Sequence, residues 1–366
     1  MDFGEVATLQ RGYDLPYRSR KPGSVPVVTS SGVGDTHFEA RVSGPGVVTG
    51  RYGTIGEVFF IREDFWPLNT TLFVKDFHGN DPLFVSYLLR TIDFHSHSGK
   101  SGVPGVNRND LHALTVRVPQ SVDEQRSIAG TLGDVDALLG ALTRLIAKKR
   151  DLKQAAMQQL LTGQIRLPGF RGEWEIKRLG EVSGVDSDNL PADTPSGYEF
   201  NYISLEDVDT GVLRAYSEQV FRSAPSRARR RLKDGDILVA TVRPNLRSHL
   251  LFTRDEPHWI CSTGFSVVRC TNGVAFPAYV FFHLFGNDVS KQIDTLLTGS
   301  NYPAINGGDV KALQIPMPSI EEQTAIAAVL SDMDAELVAL EARLAKTRAL
   351  KQGMMQELLT GRTRLV

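Results

Sequence analysis

The sequence predicts an α+β protein: two mixed α/β globular domains separated by two long helices that form an antiparallel coiled coil, with a pseudo-twofold internal repeat. Three observations predict it. Residues 124–167 align without a gap to residues 322–365, an offset of 198, and about 25 of the 44 positions are identical. Each copy carries an apolar ladder at alternating spacings of three and four, as a coiled-coil seam requires. Outside the copies, short β-branched and aromatic runs are bounded by Gly and Pro, the pattern of short strands. A period near 200 residues is too long for a solenoid and reads as duplication of a whole domain plus an arm. The divisions are 1–118 (globular), 119–167 (helix), 168–318 (globular) and 319–366 (helix).

In the first globular part, residues 25–28, 46–49, 57–61 and 69–74 read as strands, followed by a helix over 82–92. In the second, 236–241, 249–252 and 264–268 play the same parts before a helix over 277–285. Weaker identity extends the repeat upstream. Pro104-Gly105-Val106-Asn107 lies opposite Pro303-Ala304-Ile305-Asn306, and Gly4-Glu5-Val6 opposite Gly180-Glu181-Val182. By that alignment the counterpart of Trp174 falls before Met1, and Val366 stops where the first half runs on into Pro168. The two termini are therefore expected close together.

Ser121 with Glu124, and Ser319 with Glu322, fit the capping box, a serine N-cap with glutamate three residues on. The first ladder is Ile128, Leu132, Val135, Leu139, Leu142 and Ile146; the second is Ile326, Leu330, Met333, Leu337, Leu340 and Leu344. Each then slips phase, with Leu152 and Leu350 six residues on, which reads as a stutter or a change of partner. Gly163 and Gly361 are natural terminators. A helix of about 40 residues is about 60 Å long and needs a partner for its apolar stripe. The shared ladder makes each helix the natural partner of the other, and residues 168–318 return the chain for an antiparallel pair: a rod with one globular domain at each end.

Composition narrows the classes. No apolar run is long enough to cross a membrane, and Met1-Asp2-Phe3-Gly4-Glu5 is unlike a signal peptide, so a cytoplasmic protein is expected. Two cysteines, Cys261 and Cys270, cannot build a disulfide framework or a four-ligand zinc site. The net charge of −1 means that any nucleic-acid surface comes from a few placed cations rather than bulk charge. Catalytic motifs are missing. Asp81-Pro82-Leu83-Phe84 only faintly resembles the Asp-Pro-Pro-Tyr of amino-methyltransferases. Gly99-Lys100-Ser101 lacks the first glycine of a phosphate loop, where Phe94 stands. His95 and His97 have no third ligand at usable spacing, and there is no nucleophile elbow. Neither an enzyme nor a cofactor is expected.

The whole chain resembles the specificity subunits of type I restriction-modification systems. The residues that carry the resemblance are Ile315-Pro316-Met317-Pro318-Ser319-Ile320-Glu321-Glu322-Gln323 before the second helix and Leu358-Leu359-Thr360-Gly361 after it. Leu160-Leu161-Thr162-Gly163, Trp174 with Leu179-Gly180-Glu181-Val182, and Gly235-Asp236-Ile237-Leu238 add to it. The resemblance implies two target-recognition domains, each reading one half of an interrupted, asymmetric sequence in double-stranded DNA. It implies that the helices set the gap and dock two methyltransferase subunits, that translocating nuclease subunits can join, and that no membrane is involved. The alternative is a coiled-coil protein–protein adaptor without base-specific reading.

Base reading needs bidentate donors, with further cations on phosphates. In the first domain the candidates are Arg51 and Tyr52 in the loop Gly50-Arg51-Tyr52-Gly53, then Lys100, Ser101, Asn107 and Arg108. In the second they are Arg243, Asn245 and Arg247 in a proline-stiffened loop, and Ser300, Asn301 and Tyr302, which lie opposite the Ser101 region. Arg229 and Arg230 belong to the densest basic run, which suits either a phosphate grip or a solvated face.

Overall fold

The computed structural model describes residues 1–98, 104–298 and 303–365. It divides into two compact units, Met1–Arg144 with Leu340–Val366, and Leu145–Ala339. The long helices span Val122–Leu161 and Ile320–Leu358, so each contributes one stretch to either unit. Gly163 and Gly361 follow them at φ +70° and +71°, left-handed positions that glycine fills without strain.

In the first unit a four-stranded antiparallel sheet runs Thr8–Arg11, Thr71–Asp76, Gly46–Gly50, Val58–Ile61. A second sheet joins Gly32–His37, Val25–Thr29 and Trp66–Pro67, with 25–29 parallel to 66–67. The helix Pro82–Leu89 buries Phe84, Val85, Leu88 and Leu89 beside the first sheet. The same core takes in Ile128, Ala129 and Leu132 from the first long helix and Leu358 and Leu359 from the second. Phe3 is fully buried in this core and Leu365 packs against it, so both ends of the chain belong to one unit.

The second unit repeats the plan. Ser183–Val185, Phe265–Cys270, Ile237–Ala240 and Leu250–Leu251 form the four-stranded antiparallel sheet in the same order. Glu199–Ile203 lies parallel to Trp259–Ser262 in the second sheet, as 25–29 does to 66–67. The strand Glu175–Arg178 pairs with Gln314–Met317. Pro277–Leu284 is the matching helix, and the core includes Ile326, Ala327 and Leu330 with Met157, Leu160 and Leu161. The free cysteines lie in different sheets, Cys261 in the strand Trp259–Ser262 and Cys270 at the end of the strand Phe265–Cys270.

Within each unit the long helices run antiparallel, as ion pairs between them show. In the first unit Lys351 Nζ lies 2.6 Å from Asp136. In the second, Lys149 reaches Glu336 at 2.7 Å and Lys153 pairs with Asp334. Asp136–Lys351 and Asp334–Lys153 are the same pair read from opposite copies of the repeat.

Two glutamines fasten the helices to their domains. Gln125 donates to the carbonyl of Pro119 and to Asn80, and accepts from the N–H of Asp81. Gln323 donates to Pro318 and Val274 and accepts from Phe276.

Two helix details differ from the sequence reading. Ser121 and Ser319 accept from the N–H of Glu124 and Glu322, both at 3.4 Å, but the glutamate side chains do not reach back to complete a capping box. They are held by Arg364 and Arg166. Leu152 and Leu350 do not continue the seam: they are 47% and 59% exposed, and the stretch where the ladder slips is occupied by the lysine–carboxylate pairs.

Candidate nucleic-acid interface

In the first unit the strand Gly46–Gly50 runs into Arg51, Tyr52 and Gly53. This turn is zipped to the segment ahead of the short helix Arg108–His112. Val106 N–H donates to Arg51 O at 2.9 Å and Gly53 N–H to Pro104 O at 3.0 Å, and Tyr52 bridges to Gly105. Glycine at 105 leaves room for the Tyr52 ring, since a Cβ there would stand 2.5 Å from it and displace it. Gly53 sits at φ +81°.

The zip brings Arg51, Tyr52, Asn107 and Arg108 to one open cleft of about 730 Å³, which Arg11 and His97 also line. The Arg51 guanidinium lies 4.6 Å from the centre of the Tyr52 ring. Tyr52 itself is 45% exposed, so the pair offers a cation stacked on an aromatic face. Arg11, Arg51 and Arg108 line this cleft with one carboxylate, Asp110, and Arg11 also pairs with Asp14 at 3.4 Å, so Arg51 and Arg108 are the cations that tilt its field positive. The Asn107 side-chain oxygen is the N-cap of the short helix and accepts from the Asn109 N–H at 3.1 Å. Lys100 and Ser101 lie outside the described residues.

Arg11 was not singled out in the sequence, and His97 was considered there only as a metal ligand. Arg11 ends a short strand paired to Leu72, and His97 closes a 3-10 turn. Neither carries a local pattern that ties it to residue 51.

The second unit repeats the zip. Ile305 N–H donates to Thr241 O at 2.9 Å and Arg243 N–H to Pro303 O at 2.8 Å, and Val242 bridges to Ala304. By these contacts Thr241, Val242 and Arg243 stand where Arg51, Tyr52 and Gly53 stand in the first half. The chain then makes a 3-10 turn over Pro244–Leu246. Arg243, Asn245 and Arg247 are all exposed, and a smaller cleft of about 190 Å³ is lined by Asn245, Arg247, Ser290 and Asp294. His249 anchors the turn from below: its Nδ1 accepts the Ala240 N–H at 3.1 Å, and burial pushes its pKa down to about 4. Ser300, Asn301 and Tyr302 lie outside the described residues.

The basic run is used differently. Arg229 and Arg230 lie in the strand Ala228–Arg231. Arg230 is taken up inside the unit, 3.0 Å from Asp186 and 2.9 Å from Asn189. Arg229 lies over the Phe221 ring at 5.1 Å and donates to the Ala228 carbonyl. Among the described residues no cluster of His, Cys, Asp or Glu is poised to hold a metal ion, and no helix is long and apolar enough to cross a membrane.

Comparison with known proteins places this architecture. Over residues 1–150 and 171–348 the chain matches the family described as the type I restriction modification DNA specificity domain. It is 25% identical, over 77% of its length and 70% of the relative's, to the type I restriction enzyme MjaVIII specificity subunit of Methanocaldococcus jannaschii. It is 24% identical to the HindI specificity subunit of Haemophilus influenzae over 44% of its length and 35% of the relative's. Its fold is similar to the crystal structure of a type I restriction-modification S subunit from M. genitalium, with a TM-score of 0.65 at 15% identity, covering 98% of this chain and 95% of that one. A chain from a structure addressing complex assembly of the type I R-M system gives a TM-score of 0.55 at 18% identity, over 99% and 97%. Matched in both of its halves, the chain belongs to the type I restriction modification DNA specificity domain family.

Proposed function

We propose that this chain is the DNA sequence-specificity subunit of a type I restriction-modification complex, non-catalytic and acting in the cytoplasm. Residues 1–118 and 168–318 are its target-recognition domains, and residues 119–167 and 319–366 its spacer helices. Each domain reads one half of a bipartite, asymmetric target in double-stranded DNA. The helices set the gap between the half-sites and dock two methyltransferase subunits, which supply the chemistry, and nuclease subunits can join.

The observation that carries this reading is the repeated zip at the end of one sheet strand. The same backbone arrangement presents Arg51 and Tyr52 in one half and Arg243 in the other. One scaffold with different side chains suits two half-sites of different sequence. Arg11, Arg51 and Arg108 around the first cleft supply phosphate and base donors.

The spacer role is tested by inserting one heptad into each helix at matching positions of the repeat. A heptad adds about 10 Å, or about 3 base pairs of DNA. Methylation by the reconstituted complex should then require a gap longer by about that amount. An unchanged gap in a folded, active complex contradicts it.

A further inference from the structure

Arg243 sits at φ +50°, ψ +51° and Arg247 at φ +54°, ψ +34°. This left-handed region is unfavourable for any residue with a Cβ. Asparagine and aspartate relieve it through short local hydrogen bonds; arginine has no such means. The first half meets the same need with glycine, since Gly53 occupies the place of Arg243 and has φ +81°. The turn therefore needs a positive φ there, and glycine satisfies it. What arginine adds is a guanidinium.

We propose that Arg243 and Arg247 are the base-reading pair of the second half, and that the left-handed backbone at both positions is what aims them at the DNA. The inference rests on the functional reading above and names the residues that carry it out. Strained conformations persist where the surroundings over-determine them, and they gather at functional sites. Here Arg243 N–H is fixed to Pro303 O, and Leu246 and Arg247 N–H close the turn onto Arg243 and Pro244 carbonyls at 2.9 Å each. Pro244 is buried and stiffens the turn, and the buried His249 holds the strand beneath it. Both arginines are exposed, with Asn245 between them. Arginine and asparagine are the side chains that read guanine and adenine by paired hydrogen bonds. In the first half Gly53 brings no side chain to this point, so reading there falls to neighbouring positions, and the two halves differ in what they recognise.

The test uses the assembled methyltransferase complex carrying Arg243→Gly, Arg247→Gly or Arg243→Ala. Methylation is measured on duplexes altered in one half-site at a time. Each glycine variant should lose discrimination in the second half-site by about 10-fold or more and keep it in the first. Arg243→Gly should melt at a higher temperature than Arg243→Ala, because both lose the guanidinium and only alanine keeps the strain. Full discrimination in both glycine variants overturns the pair as readers, and equal melting of the glycine and alanine variants overturns the strained presentation. An unaltered complex that methylates without any two-part preference overturns instead the functional reading on which the pair rests.

Discussion

Arg166 grips Glu322 with two prongs, its Nε and Nη2 each 2.5 Å from a carboxylate oxygen, and Arg364 grips Glu124 in the same way at 2.5 and 2.6 Å. Each pair ties the end of one long helix to the start of the other within a single unit. Bidentate arginine–carboxylate geometry is the strong and directional form of an ion pair. In the second unit Trp174 Nε1 also donates to Glu322, at 3.2 Å. Glu322 is nearly fully buried there, and the Arg166 side chain is 26% exposed against 62% for Arg364.

That contrast predicts an order of effects. Glu322→Gln leaves the half-buried Arg166 without its counter-charge and should lower the melting temperature clearly. Glu124→Gln, whose arginine is solvated, should lower it less. Thermal melts of the two variants decide it, and an inverted order contradicts the role of burial.

The seam should be most sensitive where it enters a core. Leu132 and Leu330 are fully buried, so Leu132→Ala or Leu330→Ala should each cost about 2–5 kcal/mol. Leu350→Ala, at a position 59% exposed, should stay within about 0.5 kcal/mol. Denaturant unfolding of the three variants measures this.

These contrasts also mark what the sequence alone could show. Ile128, Leu132, Ile326 and Leu330 were legible because helical spacing is a local signal, and the repeat at offset 198 repeated it. Strands such as Val25–Thr29 and Phe265–Cys270 were legible from their apolar runs. Thr8–Arg11 was not, because it is short and largely polar and is a strand only through its partner, whereas Glu199–Ile203 has the alternating polar and apolar pattern of a strand and was missed. The glutamates were read as capping residues because that motif is local, whereas Arg364 lies 240 residues from Glu124. Arg230 looked like part of a basic face, and its commitment to Asp186 is likewise visible only in the fold.

The two kinds of arginine should separate in experiment. Arg108→Ala removes a cation from the first cleft and should weaken DNA binding by the complex, reducing the salt slope by about 1 if the contact is to a phosphate. Arg230→Ala leaves Asp186 unpaired and should lower the melting temperature while keeping the DNA target. Binding isotherms over a salt series, with melts alongside, distinguish them.

Acid should weaken the second unit early. Burial lowers the pKa of His249 to about 4 and that of His283 to about 3. Unfolded, each ring takes up a proton as pH falls through about 6.5; folded, it does not until far lower. The unfolded state then binds more protons, so stability drops as pH falls below 6.5, by about 2–3 kcal/mol per ring at pH 4.5. The Glu124 carboxyl is held below its ordinary value by Arg364, so its contribution is full above that range and is lost only at more acid pH. Unfolding followed from pH 7.5 to 4.5 should show the decline, and His283→Leu should flatten it. An identical slope in that variant contradicts the assignment.

The claim that this chain reads a two-part DNA target is tested most directly by methylome sequencing of cells expressing the methyltransferase subunits with and without it. The expected result is one interrupted, asymmetric methylated motif that appears only when the chain is present, and loses definition in one half with Arg51→Ala and in the other with Arg243→Gly. A methylation pattern that is the same with and without the chain would contradict the account.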